Sequence, residues 1–317
     1  MSQDFKAAID RHRTITILSH INPDADAIGT SLGIYTLLKA YGKQVEVANY
    51  STDLPGYLDF LPNFSKIKQK IEYADSLIIS CDCGSIDRLG FDIEGREIIN
   101  IDHHQTNQYY GTINLVDARL PASAQVTVVV MKGSFPITRE AATCFYTALI
   151  SDTRHFTTAN VDERAFSFAA ELIAYGAEHQ RVAVNLTQRR SLASLRILGK
   201  ILDTLTLHSD ATIASLKVDR QMFDATGATM SDIEGVVDYA RSLATVEIGI
   251  MLVQYGPEIK VSLRSKKQDI SFVAEYFGGG GHKNACGFTT KSGNIEEILD
   301  RILNYIGVSN LESGGEE

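Results

Sequence analysis

The chain has 317 residues, of which 44% are hydrophobic and 22% charged, with a formal net charge of −9. That length allows two domains, since typical domains run to roughly 100–200 residues, and the composition is that of a soluble globular protein. The acidity argues against a protein that coats long nucleic acids through a broad basic surface, and no apolar run approaches the roughly 20 residues of a membrane-spanning helix.

The start, MSQDFKAAIDRHR, lacks the apolar core of a secretory signal and reads as a short helix of a cytoplasmic protein. The apolar run TITIL then leads into HINPDADAIG, residues 20–29. One reading is an Asx-type turn entering the helix SLGIYTLLKA. The other makes His20, Asp24 and Asp26 ligands of a cation, because like charges so close together repel without one. On this stretch alone both readings stand.

VEVANY, SLIISCD and EIINIDHH follow as strands with helical stretches among them, then ASAQVTVVVMK and TREAATCFYTALISD as helices. Continuous β-branched runs flanked by amphipathic helices predict an α/β domain built on a doubly wound, mostly parallel sheet. Three strands run into polar clusters, HINPDAD, CDCG and DHHQTN. In open α/β sheets the crevice beyond the carboxyl ends of the strands is where ligands bind. By position, the candidate metal ligands are therefore His20, Asp24, Asp26, Asp82, Asp102, His103, His104 and Asp152. A single strand-end Asp is more often a helix cap, so the weight lies in their joint occurrence. Ser123, in LPASAQ, reads as a cap of a helix opening on the same cleft. Cys81, Cys83, Cys144 and Cys286 match neither a zinc spacing nor a disulfide framework and read as reduced, structural thiols.

Residues 162–180 continue as helix, and VNLTQRRSLASLRILGKILDTL reads as one long amphipathic connector, with the domain boundary near residue 190. ATIASLKVD, VEIGIMLVQYG and IKVSLRS predict the strands of a second, smaller α+β domain, joined by a helix near SDIEGVVDYARSL. The expected division is a first domain 1–188, a helical connector 189–200, a second domain 201–310 and a disordered acidic tail 311–317. In GGGGHKNACGF, Gly279, Gly280 and Gly281 allow backbone N–H groups to approach a phosphate closely, and His282 and Lys283 add cationic donors.

Together these motifs resemble the DHH phosphoesterase superfamily. HINPDADAIG, the strand-end Asp82 in SCDCG, the name-giving Asp102, His103 and His104, and Asp152 in ISDT follow the family's order, and GGGGHKNACGF is similar to the signature of the DHH-associated domain. Ala25 stands where the family commonly has Gly, and Arg154 where a smaller residue is usual, at what would be the pocket's edge. The resemblance implies two divalent cations, one held by His20, Asp24 and Asp82, the other by Asp26, Asp82, His103 and Asp152, with Asp82 bridging. Two cations roughly 3.5–4 Å apart can clamp an in-line attack on phosphorus, and mixed imidazole and carboxylate ligands favour Mn2+ over Mg2+. Asp82, Asp102 and His104 are the implied catalytic residues, Asp102 fixing a histidine's tautomer from outside the ligand set and His104 reaching the scissile phosphate. Arg264, in SLRSKK, matches the family's substrate-binding arginine.

The two-domain length and the DHH-associated signature together resemble the small oligoribonuclease (nanoRNase) and 3'-phosphoadenosine-5'-phosphate phosphatase subgroup. This implies hydrolysis of very short oligoribonucleotides or 3'-phosphoadenosine-5'-phosphate, with short phosphorylated nucleotides as partners and neither long nucleic acid nor membrane. Cleavage of linear or cyclic dinucleotides is the alternative enzymatic reading. A catalytically silent nucleotide sensor is the alternative of another class, and the intact ligand set argues against it. A homodimer is compatible with the sequence.

Overall fold

The β-branched runs of the first half form six strands, β1 (Thr14–Ser19), β2 (Gln44–Ala48), β3 (Ile67–Lys68), β4 (Leu77–Cys81), β5 (Ile98–Asp102) and β6 (Ile113–Val116). In the computed structural model, which describes residues 2–291 and 293–313, these strands all pair in parallel in the order β3-β2-β1-β4-β5-β6. The order reverses between β1 and β4, so the connections leaving those strands diverge and open a crevice at their carboxyl ends.

Parallel strands need cover on both faces. Ile15, Ile17, Leu77, Ile79, Ile99 and Ile101 enter the larger core with helices α1 (Ser2–Arg11), α2 (Ala25–Ala40), α3 (Ser123–Met131), α4 (Arg139–Asp152), α5 (Glu163–Ala174) and α6 (His179–Thr187). Alternate residues Leu18, Ile78 and Ile98 face the other way and pack with Leu89, Phe91 and Ile93, so irregular chain and a short 3-10 turn cover that side. Asp24 caps α2 by accepting the Ala27 N–H at 3.0 Å. The helix is not the amphipathic one that the sequence suggests, because every residue from Ala25 to Ile34 is buried, between the sheet and α4. Gly33 permits this closeness, since a Cβ there would come within 2.3 Å of the Phe145 ring.

The expected single connector is two helices. α6 ends at Thr187, and α7 (Leu192–Leu202) begins with Ser191 as its cap, accepting the Ser194 N–H at 2.9 Å. The chain divides into compact units Met1–Arg189 and Arg190–Glu317 between these helices.

In the second unit, β7 (Thr206–His208), β8 (Ile213–Val218), β9 (Ile248–Gln254), β10 (Ile259–Ser265), β11 (Gly280–His282) and β12 (Ala285–Thr290) form a mixed sheet in the order β11-β12-β10-β9-β8-β7. Among the described residues its one parallel pair is β8 with β9. Helices α7, α8 (Arg220–Thr226) and α9 (Val237–Arg241) pack on one face. Helices α10 (Ser271–Tyr276) and α11 (Ile295–Ser313) cover the other, which is why β8 and β9 are apolar almost throughout. The helix expected near SDIEGVVDYARSL shortens to α9, because Gly235 at φ 74° separates it from a 3-10 turn at Met230–Ile233. α11 runs three residues into the segment expected to be a tail, and 314–317 lie outside the described residues.

Candidate metal centre

At the end of β1 the backbone turns at Asn22, whose φ is 56°. Asn49, itself buried, fixes the turn by donating its Nδ2 hydrogens to the carbonyls of Ser19 at 3.2 Å and His20 at 2.9 Å. His20 Nδ1 lies 2.9 Å from the Ile21 carbonyl. A carbonyl can only accept, so the shorter contact places a hydrogen on Nδ1 and leaves Nε2 to face the acids, while the Arg88 guanidinium, which can only donate, flanks the same Nδ1 at 3.3 Å. That Nε2 is aimed at Asp82 Oδ2, 3.8 Å away.

Asp82 follows the last residue of β4 and holds a left-handed φ of 55°, a conformation that costs an L-residue about 1–2 kcal/mol. Its N–H is tied to the Ile101 carbonyl at 2.9 Å, and its carboxylate lies between His20 and His103. His103, just beyond β5, has Nδ1 fixed by the Leu120 carbonyl at 3.2 Å. Its Nε2 stands 3.8 Å from Asp26, 3.5 Å from Asp82 and 3.6 Å from Asp152. A ring nitrogen aimed at three carboxylates, which only accept when ionised, calls for a positive charge among them, either a proton or a metal ion.

Among the described residues, three groups have ligand atoms within 4.8 Å of one another: His20, Asp24 and Asp82; Asp26, His103 and Asp152; and Asp82, His103 and His104. Nitrogen and oxygen donors of this kind suit a divalent cation.

Asp102 is fully buried and gathers donors. Its Oδ1 accepts from the His103 N–H at 2.8 Å and from His104 Nδ1 at 2.7 Å, and its Oδ2 accepts from Asn107 Nδ2 at 2.5 Å. It therefore orients His104 and stands outside the three groups. Asn107 was not singled out from the sequence, although it follows DHH closely in DHHQTN.

Ser123 overturns the capping expectation. The cap of α3 is Ala122, and Ser123 Oγ instead donates to Asp82 Oδ1 at 2.9 Å. Asp26 does the capping, accepting the Ser123 and Ala124 N–H groups at 2.7 and 3.2 Å. No local pattern signals this, because the partners are about a hundred residues apart.

The electrostatics follow from crowding acids in a dry pocket. Burial, and then the Asp82 charge, pushes Asp26 up to about 7. Burial, and then Asp24, pushes Asp82 up to about 6, and Asp152 rises for the same reasons. Burial opposes charging His103, but the Asp82 and Asp26 carboxylates raise it. The hydrogen bond to Asp102 raises His104. Burial works against the Asp102 carboxylate, yet the His104 hydrogen bond and charge hold it below the usual range.

In the second unit, Arg264 lies half-buried on β10, opposite Ala285 and Gly249, with Nη1 donating to the Leu263 carbonyl at 3.0 Å. Gly280 and Gly281 belong to β11 rather than to a free loop, pairing with Gly287 and Cys286. A Cβ on Gly279 would approach the Gly287 carbonyl to 2.2 Å, and one on Gly281 the Ala285 carbonyl to 2.6 Å, so these two glycines have a packing reason of their own. Around Gly280 there is open space. Lys283 is exposed at the hairpin turn, and the side chain of His282 lies outside the described residues.

The family model described as "DHH family, N-terminal domain" matches residues 14–149, and the "DHHA1 domain" model matches residues 211–307. The chain is 32% identical over 298 residues to the bifunctional oligoribonuclease and PAP phosphatase NrnA of Thermus thermophilus, covering 92% of this chain and 89% of that one. It is 25% identical over 309 residues to the protein of the same name from Bacillus subtilis, covering 96% of each. Among solved structures, an exopolyphosphatase-related protein from Bacteroides fragilis matches with a TM-score of 0.88 at 25% identity, covering 96% of this chain and 94% of that one.

Proposed function

The chain belongs to the DHH family, and from that premise we propose that it is a metal-dependent hydrolase of phosphoester bonds, acting on very short oligoribonucleotides and on 3'-phosphoadenosine-5'-phosphate. The observation that carries this reading is the paired presentation of His20 and His103. Each meets a carbonyl at Nδ1 and aims Nε2 at the shared Asp82 carboxylate. The names of the relatives support the substrate class.

Two divalent cations bound here would supply an activated water and neutralise charge on the phosphoryl oxygens. His20, Asp24 and Asp82 would hold one, and Asp26, Asp82, His103 and Asp152 would hold the other, with Asp82 common to both sets. The mixed donor set favours Mn2+ over Mg2+. Ser123 and the N–H groups opening α3 hold Asp82 and Asp26 in place. Asp102 fixes His104 at Nδ1 and favours its doubly protonated form, which offers Nε2–H as a donor to a phosphate oxygen. In the second unit, Arg264, Lys283 and the open backbone at Gly280 bind the phosphorylated nucleotide by charge-assisted bonds.

The test is a panel of pyrophosphate, 3'-phosphoadenosine-5'-phosphate, linear and cyclic dinucleotides and oligomers of increasing length, each incubated with purified protein and Mn2+. The reading expects turnover of 3'-phosphoadenosine-5'-phosphate and linear dinucleotides, loss of activity in excess chelator, and decline with length. Preference for long strands, or full activity in protein shown to be metal-free, would overturn it.

A further inference from the structure

Directly after Asp152 and its neighbour Thr153, three successive residues, Arg154, His155 and Phe156, take φ values of 45°, 59° and 63°. L-residues resist the left-handed region, and a helix can be ended by a single glycine in it at no such cost. A run of three is held only because its surroundings demand it, and such strain clusters at ligand clamps. Here the restraint is Thr153, fully buried. Its Oγ1 accepts the Phe156 N–H at 3.2 Å and its carbonyl accepts the Thr157 N–H at 2.8 Å, while the His155 N–H returns to the Ile150 carbonyl at 2.8 Å.

The turn leaves Arg154 and His155 exposed and lays Phe156 against the core. Phe156 stacks on Phe166 of α5, with ring centroids 4.7 Å apart and planes 21° from parallel. Phe166 remains 55% exposed. A large exposed aromatic ring whose stacking partner, Phe156, is joined to a proposed metal ligand through Thr153 and three residues of strained chain has the makings of a stacking surface.

We propose that Phe166, buttressed by Phe156, is the platform for a nucleobase of the substrate, and that the turn 154–156 sets its position relative to Asp152. This rests on the phosphoesterase reading above and adds a residue that selects for nucleotides over base-free phosphoesters. Base–aromatic stacking tolerates any base, which suits an enzyme for short strands of mixed sequence.

The experiment compares wild type, Phe166→Ala and Phe166→Tyr on 5'-phosphorylated diadenosine dinucleotide and on the same dinucleotide made abasic at each position in turn, with circular dichroism to verify folding. Stacking losses of the usual size predict a KM for Phe166→Ala raised about 5- to 150-fold on the intact dinucleotide, with kcat little changed. Phe166→Tyr should retain the wild-type KM, and the effect of Phe166→Ala should vanish on one of the abasic substrates. An unchanged KM, or an equal loss with and without bases, overturns the platform while wild-type turnover leaves the phosphoesterase reading intact. A shift in oligomeric state without a KM effect would assign the ring to contact between copies and also overturn it. Absence of wild-type turnover on the dinucleotide overturns the underlying reading and the platform with it.

Discussion

Replacing Gly29 by alanine tests how the packing of two helices holds the acid cluster together. Gly29 lies one turn after Asp26 on α2, against the part of α4 that leads to Asp152. A Cβ at Gly29 would stand 2.6 Å from the Cys144 carbonyl oxygen and 3.0 Å from Ala148 Cβ, where ordinary contact begins near 3.4 Å. The obstacle is backbone in a close-packed core and cannot rotate aside, so the helices must part by roughly 0.8 Å. Overpacking of this kind costs about 1–3 kcal/mol, while alanine's helix propensity returns about 1 kcal/mol. The expected net loss is therefore about 0–2 kcal/mol.

The same displacement exceeds the roughly 0.5 Å within which a preorganised site must be held, so hydrolysis should fall on the order of 10- to 100-fold. Gly199→Ala on α7 is the control, because nothing lies within 4 Å of its Cβ position; there propensity alone should stabilise by about 0.5–1 kcal/mol. Urea denaturation with a constant m-value and Mn2+-dependent dinucleotide hydrolysis provide the two readouts. A Gly29→Ala protein as stable and as active as wild type would refute the argument.

Asp82→Asn keeps the shape and tolerance of left-handed backbone but removes the charge shared by the two proposed sites; metal affinity or activity should drop about 100-fold or more, and near-native turnover in a folded variant would contradict the assignment. Ser123→Ala removes the hydroxyl donated to buried Asp82, which should cost about 1–3 kcal/mol in chemical denaturation, whereas a neutral effect would return Ser123 to a passive place at the helix start. The metal-free protein should lose stability as pH rises from about 4 to about 7. Asp26 and Asp82 are raised in the fold to about 7 and about 6, so their protons favour folding below the unfolded pKa and that advantage disappears through the folded one; saturating Mn2+ should reverse the trend, and a melting temperature that climbs over this range without metal would show the sign to be wrong. All four cysteines are buried, and burial pushes the Cys144 thiol upward, so iodoacetamide should leave the native protein unlabelled and modify four thiols in guanidinium; rapid native labelling would count against the core described here.

The sequence by itself determined those features whose physics is local. Continuous apolar runs made β1, β4 and β5 legible as strands of a doubly covered sheet, and the acids and histidines that follow them could be assigned to its carboxyl edge because a strand's end is marked by the residues next to it. The order of HINPDADAIG, Asp82, DHH and Asp152 carried the family for the same reason. Tertiary structure decided what depends on residues distant in the chain. Ser123 looks like a cap from its neighbours, yet its hydroxyl belongs to Asp82, forty-one residues away. The periodicity across 184–205 suggested one connector, but two helices in separate units share it, the second opened by the Ser191 cap. α2 carries no amphipathic stripe because a sheet and a second helix cover it together, and a helical period cannot report how many partners a helix has. The Nε2 atoms of His20 and His103 face the acids because the carbonyls of Ile21 and Leu120 occupy their other ring positions. A backbone carbonyl exists at every residue, so composition and spacing carry no trace of which one a histidine meets; the folded chain alone makes that choice.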